Sequence, residues 1–175
     1  AQASEIRQTL ALIERAREQL SASGTEYGPL RLGAMIAIPA AALTVPMFLR
    51  PFDFLSIGTN DLVQYLLAAD RNNDTLGDLY SPLNPGVVRL LKHIINVANE
   101  HDTPVAVCGE IAGDATLAPL LLALGLTEFS LHPATLLEGR KAIRDSDLSA
   151  LKARTGKLLQ ARDRAGIEHW LKSTL

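Results

Sequence analysis

The chain has 175 residues, 47% of them hydrophobic, which fits one domain with a sizeable buried core. Its formal net charge of −2 gives no electrostatic basis for binding nucleic acid, and no apolar stretch is long enough for membrane insertion. These properties argue against a nucleic-acid-binding protein and against an integral membrane protein.

The elements predicted along the chain begin with a helix and continue as alternating short strands and helices. Ile6, Leu10 and Ile13 recur at helical spacing within a first helix from Ser4 to Ser23. Four apolar strands follow, at 33–38, 52–57, 104–107 and 128–131, with helices at 40–49, 61–69, 87–99, 115–124, 133–144 and 148–171. This alternation indicates a parallel sheet covered by helices, either an open doubly wound sheet or half of a barrel.

Polar side chains follow two neighbouring strands of the predicted sheet. Asn60 and Asp61 come after the second strand, and Cys108 and Glu110 come after the third. In parallel α/β folds the active site lies beyond the carboxyl ends of the strands. We therefore expect Asn60, Asp61 and Cys108 to gather at one rim.

Three of the polar candidates have both a structural and a functional interpretation. Asp61 is a hard oxygen ligand suited to Mg²⁺, but Asp and Asn are also favoured as caps at helix starts. The amide of Asn60 suits a phosphate or a carboxylate. Arg71 opens a long polar loop and would clamp a phosphate bidentately, although a solvated surface arginine is the commoner case. Position alone favours the structural interpretation of all three.

Cys108 is the only cysteine of the chain, so no internal disulfide is possible. A buried cysteine most often behaves as a small hydrophobe, whereas a thiol at a strand end beside Gly109 and Glu110 would exchange a proton with a substrate carbon. The lone thiol and the absence of a secretory signal predict a cytoplasmic location. The chain begins with alanine, which predicts a fragment or a processed product. The histidine nearest the rim, His132, is expected to be structural.

Four sequence runs resemble one family in the same order and at matching spacing. They are SIGTNDLVQYLLAADRNN from Ser56, LYSPLNP from Leu79, VCGEIAGD from Val107 and LGLTEFS from Leu124. This combination resembles enzyme I of the bacterial sugar phosphotransferase system, the phosphoenolpyruvate–protein phosphotransferase family. Dikinases and phosphoenolpyruvate synthases carry related TNDL and CGE motifs, but the QY and AADR runs are more similar to enzyme I. The resemblance extends from about Gly33 to Arg140.

The resemblance implies a (βα)₈ TIM barrel, of which this chain supplies the last four strand–helix units. Residues 1–175 would form the C-terminal half of the barrel domain, with closing helices from about 146. It also implies a transferase of sugar transport, which moves the phosphoryl group of phosphoenolpyruvate to a histidine on a separate N-terminal domain and then to HPr. In this family the barrel domain also forms the homodimer.

The motif match also implies roles for single residues. Asn60 would contact phosphoenolpyruvate, Asp61 would bind substrate and hold Mg²⁺, and Arg71 would hold the phosphate. Cys108 would be the acid that protonates the methylene carbon of enolpyruvate. The family places a second Mg²⁺-binding carboxylate where this chain has Ala37, so we expect Mg²⁺ binding to be weakened or lost. The family's other substrate-binding arginines and its phosphohistidine are absent, so we expect the chain alone to be inactive.

Two other interpretations remain open at this point. One is a catalytically inactive dimerisation or regulatory module derived from the same barrel, in which Ala37 marks a site released from catalysis. The other is an aldolase-like barrel acting on pyruvate-type acids, which the NDLVQY and CGE runs disfavour. A half barrel also leaves two strand edges unpaired, so we expect the chain to pair them with another chain.

Overall fold

The structure is a computed structural model that describes residues 2–77 and 79–174, apart from the side chain of Asp74. The chain divides into two compact units, Ala1–Leu32 and Gly33–Leu175. Within the described residues, no helix combines the length and the apolar character needed to cross a membrane.

The first unit holds helix α1 (Ala3–Ala22). A capping box between Gln2 and Glu5 closes its N-terminus, because the Glu5 carboxylate accepts from the Gln2 backbone N–H at 2.7 Å. No residue of α1 is buried. The helix predicted from Ser4 to Ser23 is confirmed, with each end displaced by a single position.

The second unit is built on a four-stranded parallel sheet. The strands lie in the order β1 (Gly33–Ile36), β2 (Phe54–Gly58), β3 (Val105–Cys108) and β4 (Glu128–Phe129). Each neighbouring pair is parallel, so β1 and β4 form the two edges. The parallel α/β architecture predicted from the alternation of strands and helices is confirmed.

Helices connect the strands and close the unit. They are α2 (Pro39–Leu43), α3 (Pro46–Leu49), α4 (Thr59–Leu67), α5 (Pro85–Glu100), α6 (Glu110–Gly113), α7 (Ala118–Leu124), α8 (Leu136–Asp145), α9 (Leu148–Leu159) and α10 (Arg164–Lys172). Short 3₁₀ turns cover Asp74–Leu76, Ala115–Leu117 and Pro133–Thr135. The single helix predicted over 40–49 is two helices, because Pro46 lacks the N–H that would continue α2 and instead begins α3. Helix α6 lies where no element is predicted.

The two faces of the sheet differ in burial. Side chains alternate between the faces along each strand. One set is buried beneath the helices and consists of Ala34, Ile36, Leu55, Ile57, Val105 and Val107. The other set includes Ser56 and Cys108, which are half-buried, and Met35, which is 59% exposed. We call this second side the open face, because no layer of the described residues of this unit covers it.

Helix α9 and the segment that follows it are fastened to the rest of the unit by side chains that bind backbone carbonyls. The guanidinium of Arg89 on α5 donates to the carbonyl oxygen of Leu159 at 3.1 Å and to that of Ala161 at 2.8 Å. The hydroxyl of Thr155 on α9 donates to the carbonyl oxygen of Ala123 on α7 at 2.9 Å. These bonds satisfy carbonyls near the C-termini of two helices, which have no partner within their own helix.

Candidate functional site

The carboxyl ends of β2 and β3 meet at the rim of the sheet. Gly58 pairs with Cys108, so the segments that follow the two strands start side by side. The side-chain oxygen Oδ1 of Asn60 accepts a hydrogen bond from the backbone N–H of Glu110 at 3.1 Å. The structure therefore brings the Asn60 and Cys108 segments into direct contact.

Gly109 permits this close approach of the two segments. Its φ of +95° is a backbone conformation that residues with a Cβ rarely adopt. A Cβ at this position would lie 2.7 Å from Asn60 Oδ1 and 2.8 Å from Thr59 Oγ1. A side chain at this position would therefore displace the Asn60 and Thr59 side chains, whose hydrogen bonds join the ends of β2 and β3.

Thr59 is a buried polar residue between the two strand ends, with 0% of its surface exposed. Its hydroxyl donates to the carbonyl oxygen of Cys108 at 2.7 Å. This bond satisfies both buried groups and fixes the backbone of Cys108. Thr59 is not among the residues predicted from the sequence. The signal that would identify it is a hydroxyl at the first helical position after a strand.

The thiol of Cys108 is held by two contacts on the open face of the sheet. The hydroxyl of Ser56 donates to Sγ at 3.4 Å, and Sγ donates to the carbonyl oxygen of Ile57 at 3.3 Å. Ser56 shares the face of Cys108 because Ser56 pairs with Ala106, two residues before Cys108. Ser56 was also not predicted, since its partner becomes evident only from the register of β2 and β3.

Arg71 follows α4 in the sequence, but its side chain lies beside Asp61 in the first turn of that nine-residue helix. Helix α4 ends in a left-handed conformation at Ala68, with φ of 51°, and the backbone N–H of Arg71 then donates to Gln64 Oε1 at 3.2 Å. Arg71 Nη1 lies 4.0 Å from Asp61 Oδ1, and the two side chains are 35% and 53% exposed. An accessible pair at this distance stabilises the fold by about 0–1 kcal/mol at most. Both groups therefore remain available to a ligand.

Tyr80 joins the polar loop after α4 to the same rim. Its hydroxyl donates to the backbone carbonyl of Asn60 at 3.3 Å. Burial is the largest cause that raises the pKa of Tyr80 above 10.0, and the negative charge of Glu110 raises it further. Arg71 opposes this rise in the pKa, and Asp61 adds to it. The pKa of the Tyr80 hydroxyl thus depends on the charges of three side chains at the rim, those of Glu110, Arg71 and Asp61.

Ala37 lies at the rim next to Gly58. A Cβ built on Gly58 would lie 3.3 Å from Ala37 Cβ, which places Ala37 on the open face just beyond β1. Among residues 2–77 and 79–174, no group of three or more His, Cys, Asp or Glu side chains is positioned to hold a metal ion. Of the two predicted Mg²⁺-ligand positions, Asp61 offers a carboxylate and Ala37 offers a methyl group.

His132 caps the turn that follows β4. Its Nδ1 accepts from the backbone N–H of Ala134 at 3.2 Å, and its carbonyl accepts from the hydroxyl of Thr135 at 3.1 Å. The imidazole ring therefore caps a backbone N–H of its own turn, which agrees with the structural role predicted for His132.

Comparison with known proteins decides among the interpretations that the sequence leaves open. Residues 1–148 match the family model described as PEP-utilising enzyme, PEP-binding domain, where PEP is phosphoenolpyruvate. The chain belongs to the PEP-utilising enzymes. This finding favours the PEP-binding domain over an aldolase-like barrel and over an inactive module.

Several proteins named phosphoenolpyruvate–protein phosphotransferase are similar to this chain. It is 51% identical to the protein from Cupriavidus necator over 164 residues, which cover 93% of this chain and 28% of that protein. It is 44% identical to the one from Listeria monocytogenes over 149 residues, 85% of this chain and 26% of that protein. It is 41% identical to the one from Staphylococcus carnosus over 157 residues, 89% of this chain and 27% of that protein.

The predicted resemblance to enzyme I is thereby confirmed. The chain spans little more than a quarter of the length of these curated relatives, between 26% and 28%.

Proposed function

We propose that this chain is part of the PEP-binding barrel of a phosphoenolpyruvate–protein phosphotransferase. Residues 1–175 would supply the last four strand–helix units of a (βα)₈ barrel, with the closing helices from about 146. In the longer protein, the phosphoryl group would pass from PEP to a histidine on a separate domain and then to HPr, in a cytoplasmic homodimer. The observation that supports this most directly is the Asn60–Glu110 hydrogen bond, which joins the NDL and CGE motifs in one rim.

The rim offers donors for an anionic substrate. The Oδ1 atom of Asn60 is occupied by Glu110, whereas its Nδ2 has no protein partner within the described part of the chain. That nitrogen is free to donate to a phosphate or carboxylate oxygen. Arg71 is held by Asp61 at 4.0 Å, a weak contact that a phosphate can replace with two charge-assisted hydrogen bonds. Positioning and charge neutralisation of this kind are what phosphoryl transfer requires.

Cys108 would complete the reaction as the general acid. When the phosphoryl group leaves PEP, the remaining enolate must gain a proton at its methylene carbon to become pyruvate. The thiol lies on the open face at the rim, and its backbone is fixed by Thr59. A positioned thiol at that place can give this proton.

The residues present fit Mg²⁺ only in part. When bound, the cation would neutralise charge on the phosphate oxygens. Asp61 would hold it, but the second position is the methyl group of Ala37. We therefore propose that Mg²⁺ binding is weakened or lost in this chain, and we assign no step of the reaction to the cation.

Calorimetric titration with PEP, with and without Mg²⁺, tests the proposal. The three proteins to compare are the chain, Ala37→Glu and Ala37→Gln, where glutamine matches the length of glutamate without its charge. We expect Mg²⁺-dependent binding only in Ala37→Glu, because it alone gains a carboxylate. Strong Mg²⁺-dependent binding by the unsubstituted chain would contradict the placement of the metal site. Absence of binding in all three would mean that strands outside this segment are essential.

A further inference from the structure

The contact between Ser56 and Cys108 joins the middle of one strand to the end of the next. Ser56 pairs with Ala106, and Gly58 pairs with Cys108. Ser56 and Cys108 are therefore diagonal neighbours on the open face. The hydroxyl of Ser56 donates to Sγ of Cys108 at 3.4 Å.

The sulfur of Cys108 also donates a hydrogen bond. This second contact distinguishes the thiol from the thiolate, because only the thiol has a proton to donate. Sγ donates its proton to the carbonyl oxygen of Ile57 at 3.3 Å, which requires the protonated thiol. Once the proton has left, Sγ can no longer donate to the carbonyl oxygen of Ile57, and both atoms are then hydrogen-bond acceptors. The hydroxyl of Ser56 keeps its function in both states and binds the charged thiolate more strongly than the neutral thiol.

We propose that Ser56 is a positioning residue that aims the thiol of Cys108 at the substrate carbon and stabilises the thiolate left after proton transfer. This inference rests on the proposed function. In the step concerned, the enolate oxygen re-forms a carbonyl and the electron pair of the carbon–carbon double bond takes the proton from Sγ. The electrons of the S–H bond remain on sulfur, and the products are pyruvate and the Cys108 thiolate. A proton from solvent then restores the thiol.

A purely structural role for Ser56 makes a different prediction. A hydroxyl that only fills space would affect the stability of the sheet but not the ease with which Cys108 ionises. The rate of alkylation separates these cases, because the thiolate and not the thiol is the nucleophile. Cys108 is the only cysteine among the 175 residues, so modification reports on this one site.

The experiment measures the rate of alkylation by iodoacetamide as a function of pH. It compares the chain with Ser56→Ala, with Ser56→Thr, which keeps a hydroxyl, and with Ser130→Ala, a control that removes an exposed hydroxyl beyond β4. We expect Ser56→Ala to react about three to ten times more slowly at neutral pH, because the hydrogen bond that is lost is stronger to the thiolate than to the neutral thiol. At strongly alkaline pH the rates should converge. Ser56→Thr should restore most of the rate, and Ser130→Ala should leave it unchanged.

Two outcomes overturn the proposal and can be told apart. Equal rates for the chain and a folded Ser56→Ala at neutral pH would refute the role of Ser56 and leave the proposed function standing. Undiminished pyruvate release by Cys108→Ala in a full-length phosphotransferase carrying this segment would refute the acid role of Cys108, and with it the catalytic part of this proposal.

Discussion

The side-chain oxygen of Asn60 accepts the backbone N–H of Glu110 at 3.1 Å, a hydrogen bond that spans the ends of two adjacent parallel strands. The structure shows one function of this amide, and the proposed binding of PEP would give it a second. Its oxygen ties the rim together, and its nitrogen is left for a ligand. Because different substitutions remove one function or both, stability and binding can be measured independently.

Replacement of Asn60 by aspartate should keep the fold and impair the binding of PEP. A carboxylate oxygen can still accept from Glu110, so the free energy of unfolding should stay within about 1 kcal/mol of the parent value. The lost donor and the added negative charge beside Asp61 should weaken PEP binding at least about tenfold, which corresponds to about 1.4 kcal/mol. Urea unfolding and calorimetry in the Ala37→Glu background measure the two effects.

The control for this prediction is Asn60→Ala, which removes the acceptor and the donor together. It should lower the free energy of unfolding by about 1–3 kcal/mol, since the N–H of Glu110 then lacks its partner. If Asn60→Asp bound PEP as tightly as the Ala37→Glu parent, the amide nitrogen would have no part in binding.

Replacement of Gly109 by alanine should destabilise the protein by about 1–3 kcal/mol, because a Cβ is strained at positive φ. The same Cβ would overlap Asn60 Oδ1 at 2.7 Å. Gly156→Ala is the matched control, since Gly156 lies within α9 and a Cβ added there would meet no atom within 4 Å. It should stabilise the protein by about 0.5–1 kcal/mol. Equal free energies of unfolding for the two variants would contradict the strain assigned to Gly109.

Replacement of Tyr80 by phenylalanine should alter the alkaline pH dependence of stability. The pKa of Tyr80 is raised above 10.0, chiefly by burial, so the folded state favours the neutral phenol. The unfolded chain ionises first as the pH rises. The stability that depends on neutral Tyr80 is therefore complete below about pH 10 and is lost as the pH rises through the raised pKa of the folded state.

Stability measured by urea unfolding on either side of pH 10 should thus fall less steeply in Tyr80→Phe than in the unsubstituted chain. Ultraviolet absorbance should show the loss of a phenol whose pKa lies above 10.0. Tyr65→Phe removes a phenol that is 59% exposed on α4 and serves as the control. Survival of the phenol whose pKa lies above 10.0 in Tyr80→Phe would contradict the assignment.

Replacement of Met35 by lysine should reduce self-association of the chain. Met35 lies on edge strand β1 with 59% of its surface exposed on the open face, and unpaired edges beside apolar surface promote pairing with another chain. Light scattering after size exclusion should show dimers of the unsubstituted chain that dissociate in Met35→Lys. Leu137→Lys is the control, because Leu137 is 78% exposed on α8, away from the strands. A strictly monomeric unsubstituted chain in dilute solution would refute the predicted pairing.

The parallel direction of the strands could be predicted because short apolar runs alternate with amphipathic helices along the chain. The order of the strands, β1-β2-β3-β4, could not, since the same alternation also fits an open doubly wound sheet. Helix α6 could not, since four residues are too few to show a helical period. The proximity of Asn60 to Cys108 follows from topology alone. The roles of Ser56 and Tyr80 do not, because one depends on the register of two strands and the other on the path of a loop.

The hydrogen bonds from Arg89 to the carbonyl oxygens of Leu159 and Ala161 attach the end of α9 to α5, and they therefore affect where this domain can be truncated. The family match ends at residue 148, the first residue of α9. Beyond that point, α9 nevertheless buries Leu151 and Leu158, and its last residue is bound by Arg89 on α5. The region that the family model matches and the compact unit Gly33–Leu175 therefore have different ends. A protein cut at 148 would keep every residue of the rim and lose part of the core that supports it.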